Sequence, residues 1–134
     1  MNRILRIIIP IMLMPLLFSC AHYHNINGHL DGQWQFMSID LPDGTQETPA
    51  SVYYCIQMHT MNLTSPGHGV ATANMVYDKE NGTLNLEFPY DGNLSFGGLP
   101  DAPCTVTFDI LDLNKQHLVM SLKPDGKIFT FRKF

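Results

Sequence analysis

A chain of 134 residues has room for one hydrophobic core of useful size and not for two. Eight Lys and Arg against twelve Asp and Glu give a formal charge of −4. Nothing in the sequence forms a basic patch, which excludes nucleic acid as a partner.

Residues 1–19 read MNRILRIIIPIMLMPLLFS, and Cys20 follows. Arg3 and Arg6 make a short positive head, Ile7 to Phe18 is apolar, and Leu17, Phe18 and Ser19 lead into the cysteine. The apolar run falls short of the ~20 residues that cross a bilayer, and Pro10 and Pro15 would break a long helix in a soluble core. The segment resembles a bacterial lipoprotein signal peptide with its lipobox. The resemblance implies export, cleavage before Cys20, and lipid attachment at Cys20. The implied location is the cell envelope, on the outer membrane of a Gram-negative bacterium. Two acyl chains anchor stably where one is marginal. Loss of residues 1–19 removes two arginines, leaving six basic and twelve acidic residues and a formal charge of −6. Such a domain has no overall attraction to anionic lipid, so the membrane contact falls to the lipid anchor.

Residues 20–30 are polar and lack apolar periodicity, and read as a lipidated tether. His22, His24 and His29 fall there with no acidic or cysteine ligand at a supporting spacing, so no metal site is expected. The folded domain is then 31–134. Gly32 to Asp40 predicts a first strand with Trp34, Phe36 and Ser38 on one face and Gln33, Gln35, Met37 and Ile39 on the other. A Pro-Asp-Gly turn follows at Leu41–Gly44. Val52 to Leu63, rich in aromatic and β-branched residues, predicts one long strand. Val70 to Tyr77 is the next. Asn81-Gly82 signals a hairpin into Thr83–Phe88, where Leu84, Leu86 and Phe88 alternate with polar residues.

Pro89 to Pro103 is a long loop that either binds or covers: a lid over a site, or a cap closing one end of the core with Leu94, Phe96 and Leu99. Alternation resumes at Cys104–Leu111, with Cys104, Val106, Phe108 and Ile110 on one face. It continues through His117–Leu122 and ends in Ile128–Phe134. Short connections between successive strands predict an all-β, antiparallel up-and-down meander of about seven to eight strands. Closing the sheet into a small barrel removes its edges and buries one apolar face.

Gly32-Gln33-Trp34 at the start of the first strand resembles the G-x-W signature of lipocalins. The ending from Asp125 to Phe134 is similar to that of short lipocalin-like lipoproteins of Bacteroides-type bacteria. The likeness covers about Leu30 to Phe134. It implies that Trp34 plugs the closed end of the barrel and that Arg132, on the last strand, packs across its indole. The T-D-Y element and the C-terminal helix of classical lipocalins are absent, and the chain is short for a roomy calyx.

On the longest predicted strand, burial selects Tyr54, Ile56, Met58 and Thr60 as the interior set. That turns Cys55 outward, whereas Cys104 shares a face with Val106 and Phe108. The two cysteines either form a disulfide, closing a loop worth up to ~4 kcal/mol, or stand as separate thiols. A disulfide would require this strand's register to shift by one. No nucleophile elbow, zinc-protease motif or phosphate-cradling loop occurs, so neither an enzyme nor a cofactor is expected. Asn62, Asn81 and Asn93 begin glycosylation sequons, but the bacterial signal argues against glycosylation and turn chemistry explains these residues.

The function expected is non-enzymatic binding of a small apolar or amphipathic molecule by a membrane-anchored barrel. Its candidate lining residues are Trp34, Phe36, Tyr54, Ile56, Met58, Phe108 and Met120. The alternative is a structural or interaction lipoprotein of the envelope, with a filled barrel and an unidentified protein partner. A continuous pocket of ~300 Å³ or more favours the first.

Overall fold

Alternation of apolar and polar side chains resolves into nine antiparallel strands in the computed structural model, which describes residues 26–134. The expected signal segment and Cys20 lie outside the described residues. The strands are β1 (Gly32–Asp40), β2 (Gln46–Glu47), β3 (Tyr53–Gln57), β4 (Thr60–Ser65), β5 (Gly69–Asp78), β6 (Thr83–Gly92), β7 (Ala102–Leu113), β8 (His117–Lys123) and β9 (Lys127–Lys133). From β3 onward each strand pairs with the next in sequence. β1 pairs with both β3 and β9, and so closes eight strands into a barrel. The two-residue β2 is a side ribbon on the end of β1.

The expected strand from Val52 to Leu63 is a hairpin. β3 and β4 meet at Met58-His59, with Met58 at φ +54°, in the left-handed region. No Gly or Asn marks this turn. The carbonyl of Met58 accepts a 2.8 Å hydrogen bond from Asn27 Nδ2, a partner remote in sequence. Tyr54 and Ile56 face inward as expected, whereas Met58 and Thr60 are exposed. Met61 and Leu63, opposite Ile56 and Tyr54, complete the interior. Cys55 is half-buried on the outer side of β3. Cys104 lies opposite the buried Phe88, and both are free thiols, so the register holds without a disulfide.

A β-bulge between Phe36 and Ser38 corrects the face assignment of β1. The extra residue shifts the alternation, so Ile39 turns into the core. The folded part also begins earlier than expected. Asn27 is buried and clamps Asp31, donating from its backbone at 3.1 Å and from Nδ2 at 2.7 Å. Leu30, in a 3-10 turn over Gly28–Leu30, is fully buried. Residues 27–30 therefore belong to the domain and not to a tether.

Trp34 closes this end of the barrel. It is fully buried, and its Nε1 donates to the Leu30 carbonyl at 2.8 Å. The cation over its ring is Lys133, whose Nζ lies 4.2 Å from the ring centroid, and not Arg132. Register is the reason. Trp34 pairs with Lys133 and Gln35 with Arg132, so Lys133 shares the face of Trp34. Arg132 points to solvent and donates from Nε to Gln35 at 2.8 Å. Lys133 also donates to the carbonyls of Asp31 and His29, fastening the N-terminal turn to the last strand.

Lys133→Met is expected to lower unfolding free energy by about 1–2 kcal/mol through the lost cation–π and hydrogen bonds. Arg132→Met should stay within about 0.5 kcal/mol. Urea denaturation of the two variants measures the difference, and equal losses would contradict the assignment.

Candidate functional site

The barrel interior is occupied by its own side chains. Phe36 lies at the centre, with ring centroids 5.6 Å from Tyr54, 5.0 Å from Phe129 and 4.8 Å from Phe131. Tyr54 contacts Phe131 at 4.7 Å and Phe108 contacts Phe129 at 5.1 Å. Trp34, Ile56 and Met120 complete the same core. Six of the seven residues expected to line a ligand cavity are thus brought together as packed core. The seventh, Met58, stands 43% exposed on its turn. An eight-stranded barrel is just wide enough for side chains to fill it, and here large rings do so.

Two clefts with largely polar borders lie at the closed end, one of about 280 Å³ beside Gln33, Cys55, Gln57 and Thr60 and one of about 450 Å³ between His29, Asp31, Lys115 and Lys133. At the other end residues 41–52, 66–68, 93–101 and 124–126 connect the strands. The segment 93–101 is the cap that the sequence left undecided between lid and cover. Leu94 and Leu99 are buried, and a 3-10 turn over Ser95–Gly97 drops into the barrel mouth. The Tyr54 hydroxyl, buried in the core, donates to the Gly97 carbonyl at 2.6 Å. A Cβ on Gly97 would come within 2.6 Å of Leu63, and one on Gly98 within 2.8 Å of Ile39. Gly98 also sits at φ +77°. Two glycines in a row allow this backbone to lie directly against the core. His68 stacks on Phe96 at 4.5 Å with an interplanar angle of 10°, tying the β4–β5 turn to the cap.

Two clefts flank the cap. One, of about 550 Å³, has Ile39, Leu41, Leu99 and Leu122 as its apolar wall and Glu47, Asp125 and Lys127 at its edge. The other, of about 340 Å³, includes Ala71, Phe88, Leu94 and Ala102 and lies where the sheet parts. β5 and β6 pair only between Asn74↔Glu87 and Asp78↔Thr83, although both continue toward the mouth. Pro89, two residues beyond Glu87 in β6, has no N–H to donate to a continued ladder. On its other side the β6–β7 register skips from Phe88↔Cys104 to Gly92↔Ala102. The intervening residues bow outward and leave Tyr90 82% exposed.

The mouth is acidic. Asp40, Asp43, Glu47, Asp91, Asp101 and Asp125 surround it against Lys123 and Lys127. The side-chain and backbone hydrogen bonds of Thr45 hold the Asp43 carboxyl below its ordinary range. Burial pushes the Tyr54 phenol well above its ordinary value. No cluster of three or more His, Cys, Asp or Glu able to hold a metal occurs among the described residues. The arrangement offers apolar contact and an electronegative edge. Of this wall the sequence pointed only to Leu99, as part of the loop; Ile39, Leu41 and Leu122 come from other segments, and no local pattern links them to it.

The profile of the lipocalin-like domain family matches residues 14–134. A lipocalin-like protein from Bacteroides uniformis, known from its crystal structure, is 28% identical. It superposes with a TM-score of 0.61, covering 80% of this chain and 100% of its own. An uncharacterized protein from Bacteroides eggerthii shares the fold at 18% identity and a TM-score of 0.58, covering 78% of this chain and 98% of its own. No curated protein matches.

Tyr54→Phe is expected to cost about 1–3 kcal/mol, because the Gly97 carbonyl loses its buried donor. Hydrogen exchange should quicken at the Gly97, Gly98 and Leu99 amides, which bond only within the cap, while β1 and β9 stay protected relative to global unfolding. The neutral phenol stabilises the fold fully below about pH 10, where the unfolded chain's tyrosine begins to ionise, and this contribution is lost as pH rises further. Alkaline unfolding should therefore be less steep in Tyr54→Phe. Unchanged exchange in the cap would contradict its proposed fastening.

Proposed function

Because the chain belongs to the lipocalin-like family, we propose that it is a lipid-anchored, non-enzymatic binding protein of the bacterial cell envelope. Its ligand is a small apolar or amphipathic molecule, held at the loop-bearing mouth and not deep in the barrel. The observation that carries this reading is the 550 Å³ cleft beside the cap, with aliphatic side chains from β1, β8 and the cap meeting at its wall. That volume falls within the range of small-molecule sites. The acidic edge favours a neutral or cationic head over a carboxylate or phosphate. The head, apolar run and Cys20 of the N-terminal segment support attachment to the outer membrane by lipid.

A filled interior is also what a purely structural or protein-binding lipoprotein would have, and this is the second reading. Its weakness is the surface. On the outer wall of the barrel the exposed large apolar residues stand at different heights: Val70 and Tyr90 toward the mouth on β5 and β6, Val76 midway along β5, and Leu111 toward the closed end of β7. An interface with a protein partner draws on a contiguous patch.

Titration with N-phenyl-1-naphthylamine, an uncharged fluorescent probe, tests the proposal. Saturable one-to-one binding is expected, weakened about tenfold or more by Leu41→Asp, which puts a charge on the cleft wall. Val76→Asp, on the outer face, should leave binding unchanged. Absence of saturable binding, or equal effects of the two variants, would overturn the mouth as the site.

A further inference from the structure

The geometry points to the closed end of the barrel as a membrane-facing surface, with the cap and clefts directed away from the bilayer. This rests on lipid attachment at Cys20, as proposed above, and adds an orientation to it. The chain leaves the described domain at the closed end. Asn27 is held there by Asp31 and by the Met58 carbonyl, and Lys79 Nζ donates to the carbonyl of Ile26 at 2.9 Å. Five residues separate Cys20 from Ile26, six steps along the chain. However that stretch is arranged, it spans at most about 22 Å.

The barrel is about as long as this reach. β5 and β6 have ten residues each, and a strand of that length, tilted as in a barrel, rises about 21–24 Å along the axis, with the connections of the mouth standing beyond it. A mouth-down pose would demand the tether at or past its full extension, whereas a closed-end-down pose demands no extension. The surface chemistry then selects among the remaining poses. Four exposed apolar side chains, Ile26, Met58, Leu111 and Phe134, lie at the closed end. The charges there balance: Lys79, Lys115, Arg132 and Lys133 against Asp31, Asp78, Glu80 and Asp112. The net charge of −6 is thus carried by the mouth and the middle of the barrel. An anionic bilayer repels the mouth and leaves the closed end unopposed. With the closed end down, the mouth stands beyond the ~10 Å screening length and open to the aqueous side.

The test uses full-length lipidated protein in vesicles of phosphatidylethanolamine with a minority of phosphatidylglycerol, some lipid carrying a headgroup nitroxide. A polarity-sensitive fluorophore is placed on Met58→Cys or on Tyr90→Cys, each in a Cys55→Ala, Cys104→Ala background whose folding is checked by circular dichroism. At Met58→Cys the label should shift to the blue and lose most of its emission to the nitroxide, whereas at Tyr90→Cys it should keep both its colour and its emission. Equal quenching at the two positions, or stronger quenching at Tyr90→Cys, overturns the orientation. Mass spectrometry of the same samples reports the diacylglyceryl mass on Cys20. Its absence overturns the anchor itself, and its presence without label contrast overturns only the orientation.

Discussion

The pairing of β9 with β1 determines what the rest of this molecule can do. Once Phe36 stands opposite Phe131 and Trp34 opposite Lys133, every inward side chain of eight strands is committed to one narrow space. Burial of apolar surface drives the closure, at about 25 cal/mol for each Å² removed from water. The circumference is small and the inward residues are large: Trp34, Phe36, Tyr54, Phe88, Phe108, Phe129 and Phe131 are all buried. The stability of the closed sheet is therefore gained by giving up a deep calyx. The recognition proposed for this protein then falls to the end where strands part and loops meet.

The cap shows the same economy. Its turn has little internal structure beyond a few backbone hydrogen bonds. Its position comes from the core: the buried Tyr54 hydroxyl reaching Gly97, and Leu94 and Leu99 set among the barrel residues. The β5–β6 ladder ends beside it, so the sheet is open where the cap is seated. A segment held mainly by one hydrogen bond and a few buried side chains opens more easily than a strand paired on both edges. The two clefts of the mouth thus flank a segment that the sheet ladders do not hold.

Much of this was legible in the sequence where information is local. The alternation of Leu84, Leu86 and Phe88, and of Val106 and Phe108, gave strands and their inner faces. The G-x-W element pointed to the lipocalin-like family, to which the chain belongs. The misreadings come from interactions between distant residues. Met58 looked like part of a strand because its turn lacks Gly and is held by Asn27, thirty-one positions earlier. Ile39 was turned outward because a bulge leaves no mark in composition. The lipocalin resemblance points to Arg132, whereas parity along the strand, invisible without the register, brings Lys133 to Trp34. The clefts were hidden for the same reason, since Leu41, Leu99 and Leu122 meet only once the barrel has closed.

The most direct test of a filled barrel with its site at the rim is an isotope-filtered NOE spectrum of the protein saturated with N-phenyl-1-naphthylamine. The account predicts contacts from the probe to the methyl groups of Leu41, Leu99 and Leu122, with the NOEs between the Phe36 and Phe131 rings intact. Contacts from the probe to Phe36 and Phe108, with those ring-to-ring NOEs lost, would contradict it and locate the ligand inside the barrel.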